Sequence, residues 1–153
     1  MGICQTKKQA AWMYCNNSLE YGMKYGKLYN WYAVNDPRGL APEGWHIPSF
    51  MEWDQLDIHL GGKNETVLKI KSKEGWADNQ QGTNESGFNA LPGGNCYDFD
   101  KCYNLGKTAI WWSATEVTPL IGETWTIKND LSLMITGSDF KYTYNAVRCV
   151  KNK

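Results

Sequence analysis

Between Leu40 and Gly62 the chain reads LAPEGWHIPSFMEWDQLDIHLGG, and few segments leave a fold so little choice. Pro48 ends any earlier helix, because it has no backbone N–H to give and restricts the residue before it. Ser49 and Glu52 stand at the S-x-x-E spacing of a capping box, in which hydroxyl and carboxylate satisfy each other's orphan amides. Trp53, Leu56 and Leu60 then fall on one face at helical spacing. Gly61-Gly62 supplies a left-handed stop. The expectation is a helix from about Phe50 to Leu60 whose apolar stripe needs a partner layer.

The rest of the chain supplies one. Leu28–Val34 is rich in aromatics and is followed by the turn signal Asn35-Asp36-Pro37-Arg38-Gly39. Glu65–Lys73 has apolar Val67, Leu68 and Ile70 before Gly75 and is expected to form a second helix. Ala77–Gly87 is polar and is expected to be a long loop. Beyond it, Ala109–Ser113, Thr124–Lys128, Leu131–Ile135 and Ala146–Val150 read as short strands separated by turn residues. In Thr124–Lys128 the alternation is clean, with Trp125 and Ile127 on one face and Thr124, Thr126 and Lys128 on the other. Asn129-Asp130 suggests a tight hairpin after it. The fold class is therefore α+β, with two helices early, a small twisted antiparallel sheet late and long loops between. A chain of 153 residues is about one domain, here residues 21–153 after an N-terminal extension, 1–20.

Charge excludes several classes of partner. Sixteen basic and sixteen acidic residues cancel, so no field draws nucleic acid or a membrane surface. Lys69–Lys73 carries alternate lysines with Glu74 beside them and reads as a solvated face. No apolar run reaches transmembrane length, so no membrane insertion is expected. Met1–Cys15 has Lys7 and Lys8 without a following apolar stretch, so no secretory leader is read there.

Five cysteines, Cys4, Cys15, Cys96, Cys102 and Cys149, favour an oxidising compartment and leave at least one thiol over. Cys96 and Cys102 flank a polar turn and can staple its base. Cys149, on the last expected strand, calls for an N-terminal partner, Cys15 before Cys4. Free, buried thiols are the alternative for all of them.

Catalytic chemistry finds little purchase. His46 sits in the GWHIP turn, where a ring nitrogen bonded to backbone is expected, and His59 lies on a half-exposed helix face. No nucleophile elbow occurs, and zinc spacings are absent. Asp98 and Asp100 stand two apart, as Ca²⁺ ligands do, but without the rest of a binding loop they read as a solvated turn. Pro92-Gly93-Gly94 and Gly61-Gly62 lack the Lys and following helix of a phosphate cradle. No catalytic residue, metal or cofactor is expected.

Aromatics carry what functional signal there is. Eight Trp and nine Tyr against four Phe suit half-buried positions and binding surfaces as well as cores. Most of Trp31, Trp45, Trp53, Trp111 and Trp112 should be core. Ser138–Asn145 reads SDFKYTYN, alternating Phe140, Tyr142 and Tyr144 with Lys141, Thr143 and Asn145, which is the adaptable chemistry of recognition loops. A solvent-facing hairpin whose tyrosines lean on the sheet is the plainer reading.

Four strings together resemble a known family: YGKLYNWYAV (Tyr25–Val34), GFNALPGG (Gly87–Gly94) with WWSATE (Trp111–Glu116), and AVRCVKN (Ala146–Asn152), around the GWHIPSFMEW core. In this order and spacing, from about Tyr14 to Lys153, the chain resembles the Fibrobacter succinogenes major paralogous domain, a family common in Bacteroidota. GWHIPSFMEW is also similar to a segment of formylglycine-generating-enzyme-like domains. The resemblance implies a C-type-lectin-like fold and an exported, extracellular or cell-surface protein. It carries over no activity, because Cys149 alone cannot supply that enzyme's cysteine-based metal site. The family often has a Cys where this chain has Ala41, which leaves a family bridge there without its partner.

The terminal region also resembles the part of lectin-like variable proteins that diversity-generating retroelements randomise, and Asn104, Asn129, Asp139, Tyr142, Tyr144 and Asn145 fit that pattern. The reading is a non-enzymatic exported module that binds a cell-surface protein or glycan through its C-terminal loops. Its contact residues would be Glu116, Trp125, Asn129, Asp139, Lys141, Tyr142, Tyr144 and Asn145. A diversified receptor-binding protein on a phage or bacterial surface, and a structural or assembly domain of a surface complex, are the alternatives.

Overall fold

The structure is a computed structural model and describes residues 8–98, 101–130 and 133–153, without the side chains of Lys63 and Asp98. In chain order the elements are β1 (Trp12–Met13), α1 (Leu19–Tyr25), β2 (Leu28–Tyr29), α2 (Trp31–Val34), β3 (Trp45–His46), α3 (Phe50–Leu60), α4 (Lys63–Ile70), β4 (Asn95–Asp98), β5 (Lys101–Tyr103), β6 (Thr108–Thr118), β7 (Ile121–Lys128), β8 (Ile135–Phe140) and β9 (Val150–Lys151). The architecture is mixed α and β. Among the described residues, β6–β7–β8 form a three-stranded antiparallel sheet, and β1–β2, β3–β9 and β4–β5 form antiparallel pairs.

Helix α3 takes the bounds its sequence dictates. The capping box closes, with the Ser49 N–H donating to Glu52 Oε2 at 2.9 Å, and Gly61 ends the helix at a φ of 106°. That angle suits a residue without a Cβ. The second helix begins two residues before its expected start and ends at Ile70 rather than Lys73, where Lys71 turns extended and pairs with Ala90.

The sheet has two unlike faces because its register pairs like with like. Trp111 lies opposite Trp125 and Ala109 opposite Ile127, facing α3 and α4. Trp53, Val67, Ile70 and Trp76 meet them from the helical side. The Trp53 ring stacks on Trp125 with centroids 6.3 Å apart and leans on Trp111 at 5.7 Å. On the other face, Trp112 is fully buried and its Nε1–H donates to Tyr29 O at 2.7 Å. There the N-terminal segment covers the sheet. Met13, Cys15, Leu28, Cys96 and Tyr144 make a second, smaller core, and Ala146 touches both.

Several expectations are corrected. Residues from Trp12 onward belong to the fold rather than to an extension, since β1 pairs with β2 and Met13 and Cys15 are buried. The third sheet strand is Ile135–Phe140, not Leu131–Ile135, and Leu131 and Ser132 lie outside the described residues. The hairpin at Asn129-Asp130 is wide: β8 resumes opposite Thr126 only at Ile135. Instead of a continuous strand over Ala146–Val150, Ala146 pairs with Trp111, and β9 covers Val150–Lys151 against β3.

The cysteines divide similarly. Cys96 and Cys102 face each other across the β4–β5 hairpin and form a disulfide. Cys15 and Cys149 are free thiols, so the expected bridge between them is absent. The reason is position: Cys15 packs against the hairpin disulfide, whereas Cys149 sits beside Arg148 and Tyr29. Cys4, Phe99 and Asp100 lie outside the described residues, and with them the Asp98/Asp100 turn. His46 bonds to side chains rather than backbone, with Nε2 2.6 Å from Glu52 Oε1 and Nδ1 2.6 Å from Asn152 Oδ1. Both partners accept, so both ring nitrogens must donate and the imidazolium is the form that fits. His59 is exposed on α3.

Candidate functional site

The far end of the sheet is built from the β6–β7 hairpin and the end of β8. Phe140 lies opposite Ile121, and the Lys141 N–H donates to Leu120 O at 3.0 Å. This register brings Leu120, in the β6–β7 turn, beside Phe140 and Lys141, while Val117 lies on β6, across β7 from β8. Leu120, Phe140 and Tyr142 are exposed, Leu120 at 58% and Phe140 at 47%. The Phe140 and Tyr142 rings stack with centroids 5.2 Å apart and planes 11° from parallel. Exposed apolar side chains gathered at one place mark an interaction surface more often than a scattered one does.

The turn beneath this tip is held by hydrogen bonds to one carboxylate. Asp139 Oδ1 accepts from the Phe140 N–H at 2.9 Å and the Thr143 hydroxyl at 3.0 Å, and Oδ2 accepts from the Asn145 amide at 3.4 Å. Burial pushes the Asp139 carboxyl above the usual carboxylate range, although the Asn145, Thr143 and Phe140 donors pull the other way. Thr143 and Asn145 are fully buried. The segment that holds the tip is therefore interior structure.

Beside the tip lies a hollow of about 430 Å³ bordered by Trp31, Tyr32, Arg38, Glu116, Pro119 and Lys141. Lys141 is only 4% exposed. Its ammonium sits 4.2 Å from the centre of the Trp31 ring and forms an ion pair with Glu116. Cation and ring attract, and the carboxylate offsets the lost hydration. The Trp31 indole is fixed in turn, donating to Ser113 O at 3.0 Å and lying where a Cβ on Gly122 would be.

A second depression, about 480 Å³, runs along the open half of the sheet's other face. Thr108, Thr124, Thr126 and Ile110 form its floor, and Asn95, Tyr97 and Asn104 border it from the hairpin side. Asn129 and Asp139 also line it, and the Asn129 amide is held by Asp78 at 2.8 Å.

The structure thus splits the eight expected contact residues. Tyr142 stands on the tip, Glu116 and Lys141 at the hollow, Asn129 and Asp139 in the depression. Trp125, Tyr144 and Asn145 are corrected to the interior: Trp125 packs between Phe50 and Trp53, Tyr144 in the second core, and Asn145 under the turn. Each is within 4% of full burial and offers no contact surface. Sequence reasoning missed Leu120 as an individual member of the tip, and Trp31 and Tyr32 at the hollow. For Leu120 the signal was an apolar residue directly after the turn pair Thr118-Pro119, but its proximity to Phe140 depends on register. For Trp31 no local signal exists.

Among the described residues no helix is long and apolar enough to cross a membrane. No curated protein and no solved structure matches the chain. The sequence model of the Fibrobacter succinogenes major domain matches residues 3–151, nearly the full length, and the chain belongs to that family.

Proposed function

We propose that the protein is a non-enzymatic, exported binding module that recognises a protein or glycan on a cell surface through the tip formed by Leu120, Phe140 and Tyr142. The observation that carries this reading is the stacked, exposed Phe140–Tyr142 pair on a turn locked by Asp139. Rigid aromatics bind with small loss of conformational freedom, so a preset pair favours recognition. Glu116 and Lys141 at the hollow add charge of both signs at the rim, where they steer orientation more than they add affinity. The Cys96–Cys102 disulfide supports an oxidising compartment.

We further propose that the architecture is C-type-lectin-like. Its support is the small twisted sheet under two helices, with the terminal strand β9 returning to pair with β3 just before α3.

An array of cell-surface ectodomains and glycans, probed with the oxidised chain and with a Phe140→Ala/Tyr142→Ala variant, tests the reading. The expected result is binding by the parent and at least a tenfold loss in the folded variant, since truncating two aromatic anchors removes about 2 kcal/mol or more. Binding unchanged by the substitutions would move the site off the tip. Absence of binding together with concentration-dependent self-association would favour an assembly domain.

A further inference from the structure

Three sulfurs meet beneath the N-terminal segment. The free Cys15 Sγ and the two sulfurs of the Cys96–Cys102 bridge all lie within 4.8 Å of one another. The contact is held in place: the Cys102 N–H donates to Asn16 Oδ1 at 2.8 Å, tying the turn that carries Cys15 to β5. Cys15 and Cys96 are buried among Met13, Leu28 and Tyr144, whereas Cys102 is half-exposed. The two bridged sulfurs therefore differ in access to water, and the free one is buried beside the buried member of the bridge.

We propose that Cys15, Cys96 and Cys102 form an exchange triad that moves a thiol from the interior to the surface, making Cys102 a site of covalent thiol modification. Cys15 gives its proton to solvent base, and its thiolate attacks Cys96 Sγ. The Cys15–Cys96 bond forms as the Cys96–Cys102 bond breaks, and the electron pair leaves on Cys102, which takes a proton from water. One disulfide and one thiol stand on each side, so no oxidant or reductant enters. Attack falls on Cys96 rather than Cys102 because the half-exposed sulfur is then the leaving group. A hydrated thiolate departs more readily than one left in an apolar core.

The strand that carries Cys96 stays anchored through the exchange. β4 is bonded to the turn below the tip through Cys96 and Tyr144, whose backbone groups exchange hydrogen bonds of 2.8 and 3.0 Å. Cys96 keeps that place in either pairing, while β5 loses its covalent tie and the N-terminal turn gains one. Burial pushes the Cys15 thiol up to about 11, so at neutral pH the exchange is slow and the hairpin bridge persists. A rise in pH accelerates it. The inference stands independently of the proposed binding role.

Peptide mapping without reduction tests it. A Cys4→Ser/Cys149→Ser protein, checked for native circular dichroism, is exposed to N-ethylmaleimide at pH 7.5 and at pH 9, then denatured and mapped. The expected product carries the adduct on Cys102 with Cys15 bridged to Cys96. It should form roughly thirtyfold faster at pH 9, as the Cys15 thiolate fraction rises. Cys15→Ala in the same background should abolish the Cys102 adduct. If that variant does not fold, the map of the parent decides. An adduct on Cys15 beside an intact Cys96–Cys102 bridge would overturn the proposal, as would no adduct, or a Cys102 adduct that persists in folded Cys15→Ala.

Discussion

Helix α3 and the turn after β8 both alternate apolar with polar residues, yet the structure resolves them in opposite senses. On α3 the apolar face goes inward: Trp53 is buried while His59 and Gln55 are exposed. At the end of β8 the aromatics point out, with Phe140 and Tyr142 exposed, and the cation Lys141 and the hydroxyl of Thr143 are buried between them. Periodicity finds that two faces exist. Which face is interior depends on whether a polar side chain has partners waiting, and Lys141 has Glu116 and Trp31 while Thr143 has Asp139. In a segment whose apolar face is turned outward by well-satisfied polar residues, the exposed aromatics are the ones assigned to recognition in the proposed function.

This contrast can be broken most directly at its stable end. Trp53→Ala removes the ring that joins Phe88, Trp111 and Trp125, and should cost about 3–5 kcal/mol in chemical denaturation. A loss under 1 kcal/mol would mean that the tryptophan cluster is not the chief core. Glu116→Gln should cost about 1–3 kcal/mol by leaving the buried Lys141 ammonium without its anion, less than a fully buried pair because Glu116 is half in solvent. Lys141→Met/Glu116→Gln should recover most of that loss. Failure to recover would show that the pair, not the burial of an unpaired charge, holds the turn.

A smaller effect is expected from Tyr142→Ala, within about 0.5 kcal/mol of the parent, as for surface positions away from special features. A comparably small effect belongs to His46. Its bonds to Asn152 and Glu52 hold the imidazolium and raise its pKa. A raised folded pKa places the contribution below the unfolded value near 6.5 and removes it as pH rises through the folded value. In an exposed cluster it should be well under 1 kcal/mol. The His46 ring resonances followed by NMR should titrate above pH 6.5; titration below it would refute the clamp between α3 and the end of the chain.

Much of the scaffold was legible because its signals are local. The capping box at Ser49 and Glu52, the Gly61 stop and the alternation around Trp125 each fix their own element within a few residues. Where the sequence misled, the deciding contact was remote. Alternation gives Trp125 a face but not what covers it, and α3, far upstream in the chain, covers that face. Tyr144 continued the aromatic rhythm of Phe140 and Tyr142, but the extended phase ends at Phe140, and Thr143, Tyr144 and Asn145 are all buried in succession. Of the cysteines, Cys96 and Cys102 are joined by a short hairpin that spacing could find. The location of Cys15 beside them depends on the N-terminal turn crossing β5.

The central claim is that the apolar side chains at the tip serve recognition while those on α3 and the sheet serve the fold. Saturation variants at Leu120, Phe140 and Tyr142, and separately at Trp53, Trp111 and Trp125, displayed on a cell and sorted only for protease resistance, test it directly. Tip positions should accept Ser, Asn, Lys and Glu at near-parental resistance, and core positions should accept almost nothing polar. Tip variants lost from the folded pool as completely as core variants would contradict the account, because those side chains would then be holding the fold together.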